Sequence, residues 1–406
     1  MAKTGININV KNTVLGNVPR VNSNSMLIII GSNSNTDGDV AFDLDTPYLL
    51  RSASDLKTLG FMPNQNCYET YVQVSEYFSR AGNSLLWLVG ASDVAAVLNN
   101  LEDWVRATVV NGFQYRPRQI GFVSRSDATI ETEYYNPSSS YFFCDPDNLT
   151  VALKNLYSEG FSTVAIMDAY FQDNVENASN FENLVNYEAP FVGAVCVTNR
   201  QGGKACIGLT LGYMASLSVG TSIGDASLPP FSTNFYFTDL EVSNGEINDY
   251  IHTICSKVSP NVIEELSEKG YIFMRTRPPR NGLWFNDGAT CASPDTALST
   301  LEAGRTLASM VDDLRSFFTP YINNRVPVDS NGDIQATYKQ VVLDAARSKV
   351  VMPYIESGDI SDARISLKAQ DNDMIGSRTW EVTLEILPAP TLRWIEGFVF
   401  YVKSLN

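Results

Sequence analysis

Positive charge is what this chain has least of. Its 406 residues carry 29 Lys and Arg against 45 Asp and Glu, a net charge of −16, and His252 is the single histidine. That balance argues against a nucleic-acid partner, because phosphate binding needs clustered positive charge, and no basic run suits an anionic membrane surface. Long apolar runs are also missing. The stretch "MLIII" (26–30) is far short of a bilayer span, so no direct membrane insertion is expected. The leading "MAKTGININVKNTV" lacks the apolar core of a secretion signal. The six cysteines (Cys67, Cys144, Cys196, Cys206, Cys255 and Cys291) contain no CxxC pair. With no secretion signal they are expected to be reduced thiols in a cytoplasmic protein, and the sequons "NLT" and "NAS" to be chance matches.

What is present is a well-packed globular composition, 44% apolar and 11% aromatic, on a chain too long for one ordinary core. Two or three domains are expected. "GININVKNTV" (5–14) alternates, with Ile6, Ile8 and Val10 on one side, and reads as a strand. "MLIIIG" (26–31) and "SLLWLVG" (84–90) read as strands buried on both faces. Between them, Ser54 could cap a short helix, and "YETYVQVSEYFSRAG" places Tyr68, Tyr71, Val72, Ser75 and Phe78 at helical spacing. The same alternation recurs in "LTVALKNLYSEG" (helix), "FSTVAIMDA" (strand), "FENLVNYEA" (helix) and "PFVGAVCVT" (strand). Strand–helix–strand order predicts a parallel α/β layer with helices outside. Residues 91–145 give mixed signals.

From about residue 260 the character shifts. A strand pair surrounds "RPPRNG", and a long amphipathic helix follows, with Ser293 as its expected cap and Pro294 in its first turn. Another helix is expected over roughly 333–350. "ARISLKAQ" and "TWEVTLEIL" then alternate, with Trp380, Val382, Leu384 and Ile386 facing a core.

Signals of catalysis are weak. "GTSIG" (220–224) matches the nucleophile-elbow pattern with Ser222 as nucleophile, but the residues before it read as helix where the motif needs a strand. His252 would have to supply the base alone. "DSNGDIQ" (329–335) puts Asp329, Asn331 and Asp333 in calcium-loop order, yet its glycine is misplaced and Gln340 stands where a bidentate acid belongs. A turn into a helix capped by Asp333 is the simpler reading. "QGGKAC" (201–206) is no phosphate loop. No catalytic residue, cofactor or metal is expected.

The end of the chain, "LPAPTLRWIEGFVFYVKSLN", is unusual. Trp394, Phe398, Phe400 and Val402 fall on one face of a final strand, and Ile395, Val399 and Tyr401 on the other. Termini are normally exposed and polar. Such a strand needs cover on both faces, either as a central strand of its own sheet or in the sheet of another molecule.

The order "MLIIIGSNSNTDGDV…TPYLLRSASDLKTLGF", then "YETYVQVSEYFSRAGNSLLWLVG", resembles contractile tail sheath proteins of bacteriophages and phage-derived injection systems. "GLTLGYMASLSVGTSIGDASLPPF" and the order of elements from "GYIFMRTRP" to "FVFYVKSL" are similar to the same family, with "GYIFMRTRP" in place of its usual Gly-rich "WG.RTL" run. The resemblance implies an α/β, sheath-like fold. It would have an N-terminal arm (1–20), an outer α/β domain (21–260), an inner α+β C-terminal domain (261–390) facing a tube, and a C-terminal arm strand (391–406). It also implies strand-exchanging arms, whose contacts between subunits would fall on Ile6, Ile8, Val10, Trp394, Ile395, Phe398, Val399, Phe400, Tyr401 and Val402. The implied function is structural and non-enzymatic: hexameric rings stacked around an inner tail tube protein, capped by baseplate and tail terminator proteins, that contract. Assembly would take place in the bacterial cytoplasm. Another self-assembling particle component, baseplate or shell, stays open as an alternative, as does a serine hydrolase using Ser222.

Overall fold

The computed structural model describes residues 24–31, 42–61, 68–109, 115–124, 135–137, 139–243, 246–369 and 374–389, with backbone alone at 242–249. Its centre is a parallel sheet. The strands β1 (Ser25–Ile30), β3 (Leu86–Ala91), β4 (Gln119–Val123), β6 (Val164–Phe171) and β7 (Val192–Val195) are buried at every position. Continuous apolar strands of this kind survive only when helices cover both faces of a sheet. Together with β2 (Tyr48–Leu50), β5 (Ser140–Phe142) and β12 (Tyr271–Ile272) they give the order β12-β7-β6-β4-β1-β3-β2, with β5 pairing β6. All neighbours from β12 to β3 are parallel; β2 closes one edge antiparallel to β3. The expected α/β layer is therefore present. Within 91–145, where sequence signals were mixed, lie α2 (Val94–Thr108), β4 and β5. Short antiparallel pairs decorate the body: β8 (Val197–Thr198) with β9 (Tyr236–Phe237), β10 (Leu240–Ser243) with β11 (Glu246–Tyr250), and β13 (Met274–Arg277) with β14 (Arg280–Phe285).

Position 260 is not a seam in the packing. β12 is the edge strand of the main sheet, and the large core runs from Met26 through α5 (Pro260–Glu268) into α6 (Leu301–Phe318) as far as Met310, and takes in Val351, Tyr354, Ile360, Ala363 and Ile386 further along the chain. A second, smaller core gathers Leu314 and Phe318 of α6, Ile334, Val342 and Ala346 near and on α7 (Ala336–Ala346), Val350, and Leu367 and Ala369 of β15 (Ile360–Ala369). The boundary expected at 260/261 thus divides residues that share one core, because Tyr271 and Ile272 hydrogen-bond into the sheet beside β7 and are fully buried.

Several local expectations shift. Ser52, not Ser54, forms the capping box with Asp55 ahead of the 3-10 turn Ala53–Leu59. The long helix starts at Leu301 under a Thr300 cap, and Ser293 only closes a turn with Thr296. Of "FENLVNYEA" only Leu184–Asn186 is helical, as one 3-10 turn. α7 begins after Gln335, so Asp333 does not cap it. It continues through a π-type turn (Arg347–Val351) into α8 (Met352–Glu356). The remaining helices are α3 (Pro146–Glu159), the short α9 (Met374–Ser377), α1 and α4.

α1 (Tyr68–Arg80) buries the face opposite to the one its hydrophobic pattern offers. Glu69, Thr70, Gln73, Val74 and Tyr77 point inward, and Tyr68 is exposed. The partner explains it. α4 (Ile207–Ser216) carries Gly208 and Gly212 one turn apart, and a Cβ at either would collide with the α1 backbone at Gln73 O or Tyr77 O. Backbone meets backbone, so polar side chains suit the contact. Gln73 Nε2 donates to Ala205 O (2.8 Å), and Gln73 Oε1 accepts from the Gly208 N–H (2.7 Å) at the start of α4. Beside them, Arg200 makes two hydrogen bonds to Glu69 (2.8 and 2.9 Å). Glu76 is less fortunate: its Oε1 lies 3.9 Å from Arg200 Nε, and burial pushes its carboxyl up to about 7 against the pull of Asn199 and Arg200.

Two outcomes follow from this contact. Gly208→Ala and Gly212→Ala must push α1 off α4 and are expected to cost about 1–3 kcal/mol each in denaturant unfolding. Glu76 ionises near 4.5 when unfolded and near 7 when folded, so stability is full below pH 4.5 and falls as pH rises towards 7. Glu76→Gln is expected to stabilise the chain by roughly 3 kcal/mol at pH 8 and not at pH 4, read as the difference in urea midpoints.

Candidate assembly surface

The last described element is β16 (Trp380–Pro388), antiparallel to β15 over nine residue pairs from Ile360↔Pro388 to Ala369↔Trp380. The expected alternation is present: Glu381, Thr383 and Glu385 are exposed, Trp380, Val382 and Leu384 are partly covered, and Ile386 is buried. Trp380 closes the small core, edge-on to Phe318 (6.2 Å between ring centres) and beside Tyr321 (5.4 Å). The other face is charged and paired across the strands. Arg364 Nε donates to Glu385 Oε2 (2.7 Å), and Lys368 lies 3.1 Å from Glu381. These pairs are well exposed, so they fix register more than they add stability.

Among the described residues this sheet has two strands only, and neither outer edge pairs with a further strand. Two-stranded sheets are marginal alone, and open edges are templates for another strand. Apolar exposure gathers nearby. Of the seven large hydrophobic side chains left exposed among the described residues, Ile322, Val328, Val341, Ile375 and Leu387 lie between 319 and 389. The residues singled out in the sequence, Ile6, Ile8, Val10, Trp394, Ile395, Phe398, Val399, Phe400, Tyr401 and Val402, lie outside the described residues. The acceptor-like edges were not legible in the sequence, because alternation reports faces and never edges.

α6 ties this surface to the body by buried charge. Arg305, 4% exposed, donates through Nη2 to Met214 O (2.7 Å) and Leu217 O (3.1 Å), capping the C-terminal end of α4; burial pushes it down to about 10. Two turns further on a buried Asp312 binds two arginines that precede β4, Arg116 through a short Nη2 contact and Arg118 at 2.8 Å. Arg116 also donates to Gly160 O (2.8 Å) and Arg315 to Tyr157 O (3.0 Å), so the C-terminus of α3 is held from two sides.

The residues weighed as chemical candidates make local structural contacts. Ser222 Oγ accepts from the Gly224 N–H (3.2 Å). His252 Nε2 accepts from the Gly202 N–H (2.9 Å), with its ring stacked on Tyr250. Asp329 Oδ1 accepts from the N–H groups of Asn331 and Asp333, an Asx-type turn, and no group of three or more metal-ligating side chains occurs among the described residues. Burial pushes the Cys144, Cys206 and Cys291 thiols up, away from the reactive thiolate. No helix among the described residues is long and apolar enough to cross a membrane.

No protein-family model and no curated protein matches this sequence. Solved structures do. A chain in the six-fold symmetrised baseplate of the anti-feeding prophage is 11% identical with a TM-score of 0.57, and 99% of each chain is covered. A chain in the contracted sheath complex of an extracellular contractile injection system is 12% identical with a TM-score of 0.57, covering 100% of this chain and 98% of that one. The chain has the fold of a contractile sheath subunit. A sheath tail protein from Listeria innocua shares it at 9% identity and a TM-score of 0.53, over 92% of this chain and 94% of the other. The sheath fold therefore persists where almost none of the sequence does, and the α6 joint is part of what carries it here.

Replacing Asp312 with Ala removes the counter-charge of the buried Arg116. The variant is expected to lose about 3–5 kcal/mol in chemical denaturation, while Asp344→Ala, exposed on α7, is expected to change stability by less than about 1 kcal/mol.

Proposed function

We propose that this chain is the structural, non-enzymatic subunit of a contractile sheath, polymerised as stacked hexameric rings around an inner tube that its contraction drives through a target envelope. The observation that carries this is the likeness of fold over nearly the full length of chains from sheath and baseplate complexes. The open-edged β15–β16 sheet supports it. In this reading the arms 1–20 and 391–406 of neighbouring copies add strands to its edges, the unit around β15 and β16 lies on the tube side, and the α/β body lies outside. The other partners are the baseplate and terminator proteins at the two ends, after assembly in the bacterial cytoplasm. A baseplate component is the second reading, favoured by the match to a chain of a baseplate complex.

Magnitudes make such an arm a conditional joint. Burying six or seven large side chains is worth on the order of 10–15 kcal/mol as an upper bound. Ordering about ten residues costs roughly 10–20 kcal/mol, and each sheet hydrogen bond returns only about 1 kcal/mol. One arm alone is near break-even. Once a ring presents several acceptor edges, the second attachment becomes intramolecular and assembly becomes cooperative. Contraction in this reading is rigid-body movement of subunits joined through their arms.

Purified full-length chain is expected to form tubular polymers with its tube protein, seen by negative stain and light scattering, and to do so slowly or not at all without it. Removing residues 391–406 is expected to abolish the polymers while leaving subunit unfolding unchanged. Intact tubes from the truncated chain would sink the proposal, and labelling confined to one end of the particle would favour the baseplate reading.

A further inference from the structure

Most arginines and lysines described so far face a carboxylate: Arg106 with Glu159, Arg200 with Glu69, Arg347 with Asp362, Arg364 with Glu385. The β13–β14 hairpin breaks this habit. Arg275, Arg277 and Arg280 lie within six residues of one another, and Arg277 sits directly opposite Arg280 across the strands. Like charges at that position weaken a hairpin. Arg277 Nη2 donates to backbone carbonyls of Gly224 (2.8 Å), Phe285 (3.3 Å) and Asn286 (3.1 Å). Arg280 donates to Ala226 O and lies 4.8 Å over the Trp284 ring. These are neutral partners, so they position the guanidinium groups without cancelling their charge. Half-buried Arg275 has no ion pair among the described residues. Asp225 and Asp287 act on Arg277, leaving three cations against two anions on a chain whose net charge is −16.

The opposite arrangement occurs on α5. Glu264 and Glu268 are both exposed, one turn apart on the same face, and neither has an ion pair among the described residues; only Glu265 reaches a lysine, Lys269, at 3.7 Å. Like charges at this spacing destabilise a helix. Two elements thus each carry an unfavourable pair of the sign the other lacks.

We infer that the β13–β14 hairpin is a docking surface for a second copy of this chain, and that it receives the α5 face bearing Glu264 and Glu268. The two surfaces differ, so the contact is heterologous and repeats from copy to copy, giving closed rings or an open helical stack. It deepens the proposed sheath assembly and rests on that reading only for which of these forms. Complementary charge of this kind sets partner register and association rate, and is screened by salt.

Charge exchange tests it with full-length chains in sedimentation velocity at low and high salt. Arg275→Glu with Arg280→Glu in one copy, and Glu264→Lys with Glu268→Lys in another, are each expected to weaken self-association at least tenfold, and a mixture of the two is expected to restore it. Arg275→Gln, which disturbs no hydrogen bond, is expected to weaken it several-fold should the double variant misfold. Unchanged association of either charge-reversed copy, no restoration on mixing, or no salt-sensitive association of the unaltered chain would each overturn the contact. Salt-sensitive association that never yields tubes with the tube protein would instead remove the sheath reading and leave the contact standing.

Discussion

α6 passes through both hydrophobic clusters, and buried charges hold it in place. A guanidinium with almost no exposure is tolerated only when every strong donor finds a strong acceptor. Arg305 finds carbonyls at the end of α4, and Arg116 finds Asp312 together with a carbonyl at the end of α3. Each link therefore meets two needs, a buried cation and a helix terminus whose last carbonyls fall outside the intrahelical ladder. Because α3 and α4 belong to the α/β body and Leu314 and Phe318 to the small core, the same helix fixes one against the other.

This joint gives the surface its meaning. A two-stranded sheet with open edges would be a weak element on a mobile tether. Anchored through α6, Trp380 and the aromatic side chains around it, β15 and β16 present their edges in a defined direction relative to the body.

Burial in α1 shows where pattern reading stops. The apolar positions Tyr71 and Phe78 reach only partial cover, and Gln73 is fully enclosed. Periodicity assumes that an apolar partner waits on the other side. Here the partner is the glycine face of α4, which brings two backbones together and makes amide hydrogen bonding, not apolar area, the favourable contact. The same limit explains the caps. Ser54 and Ser293 are sound local candidates, but Ser52 and Thr300 are chosen because only their backbones stand extended at the point where the helix begins.

The sequence by itself determined the elements whose burial is one-sided or complete: the apolar strands of the parallel sheet and the alternation of β15 and β16. These follow from local period and composition, which every residue carries with it. Tertiary structure alone decided that residues beyond 260 share the body's core, that α6 is pinned by charges from Arg116 and Arg118 nearly two hundred positions away, and that β15 and β16 pair with no third strand among the described residues. Those depend on which distant groups meet, and the cost of leaving a buried ion or a backbone amide unpaired is settled only once the chain has closed on itself.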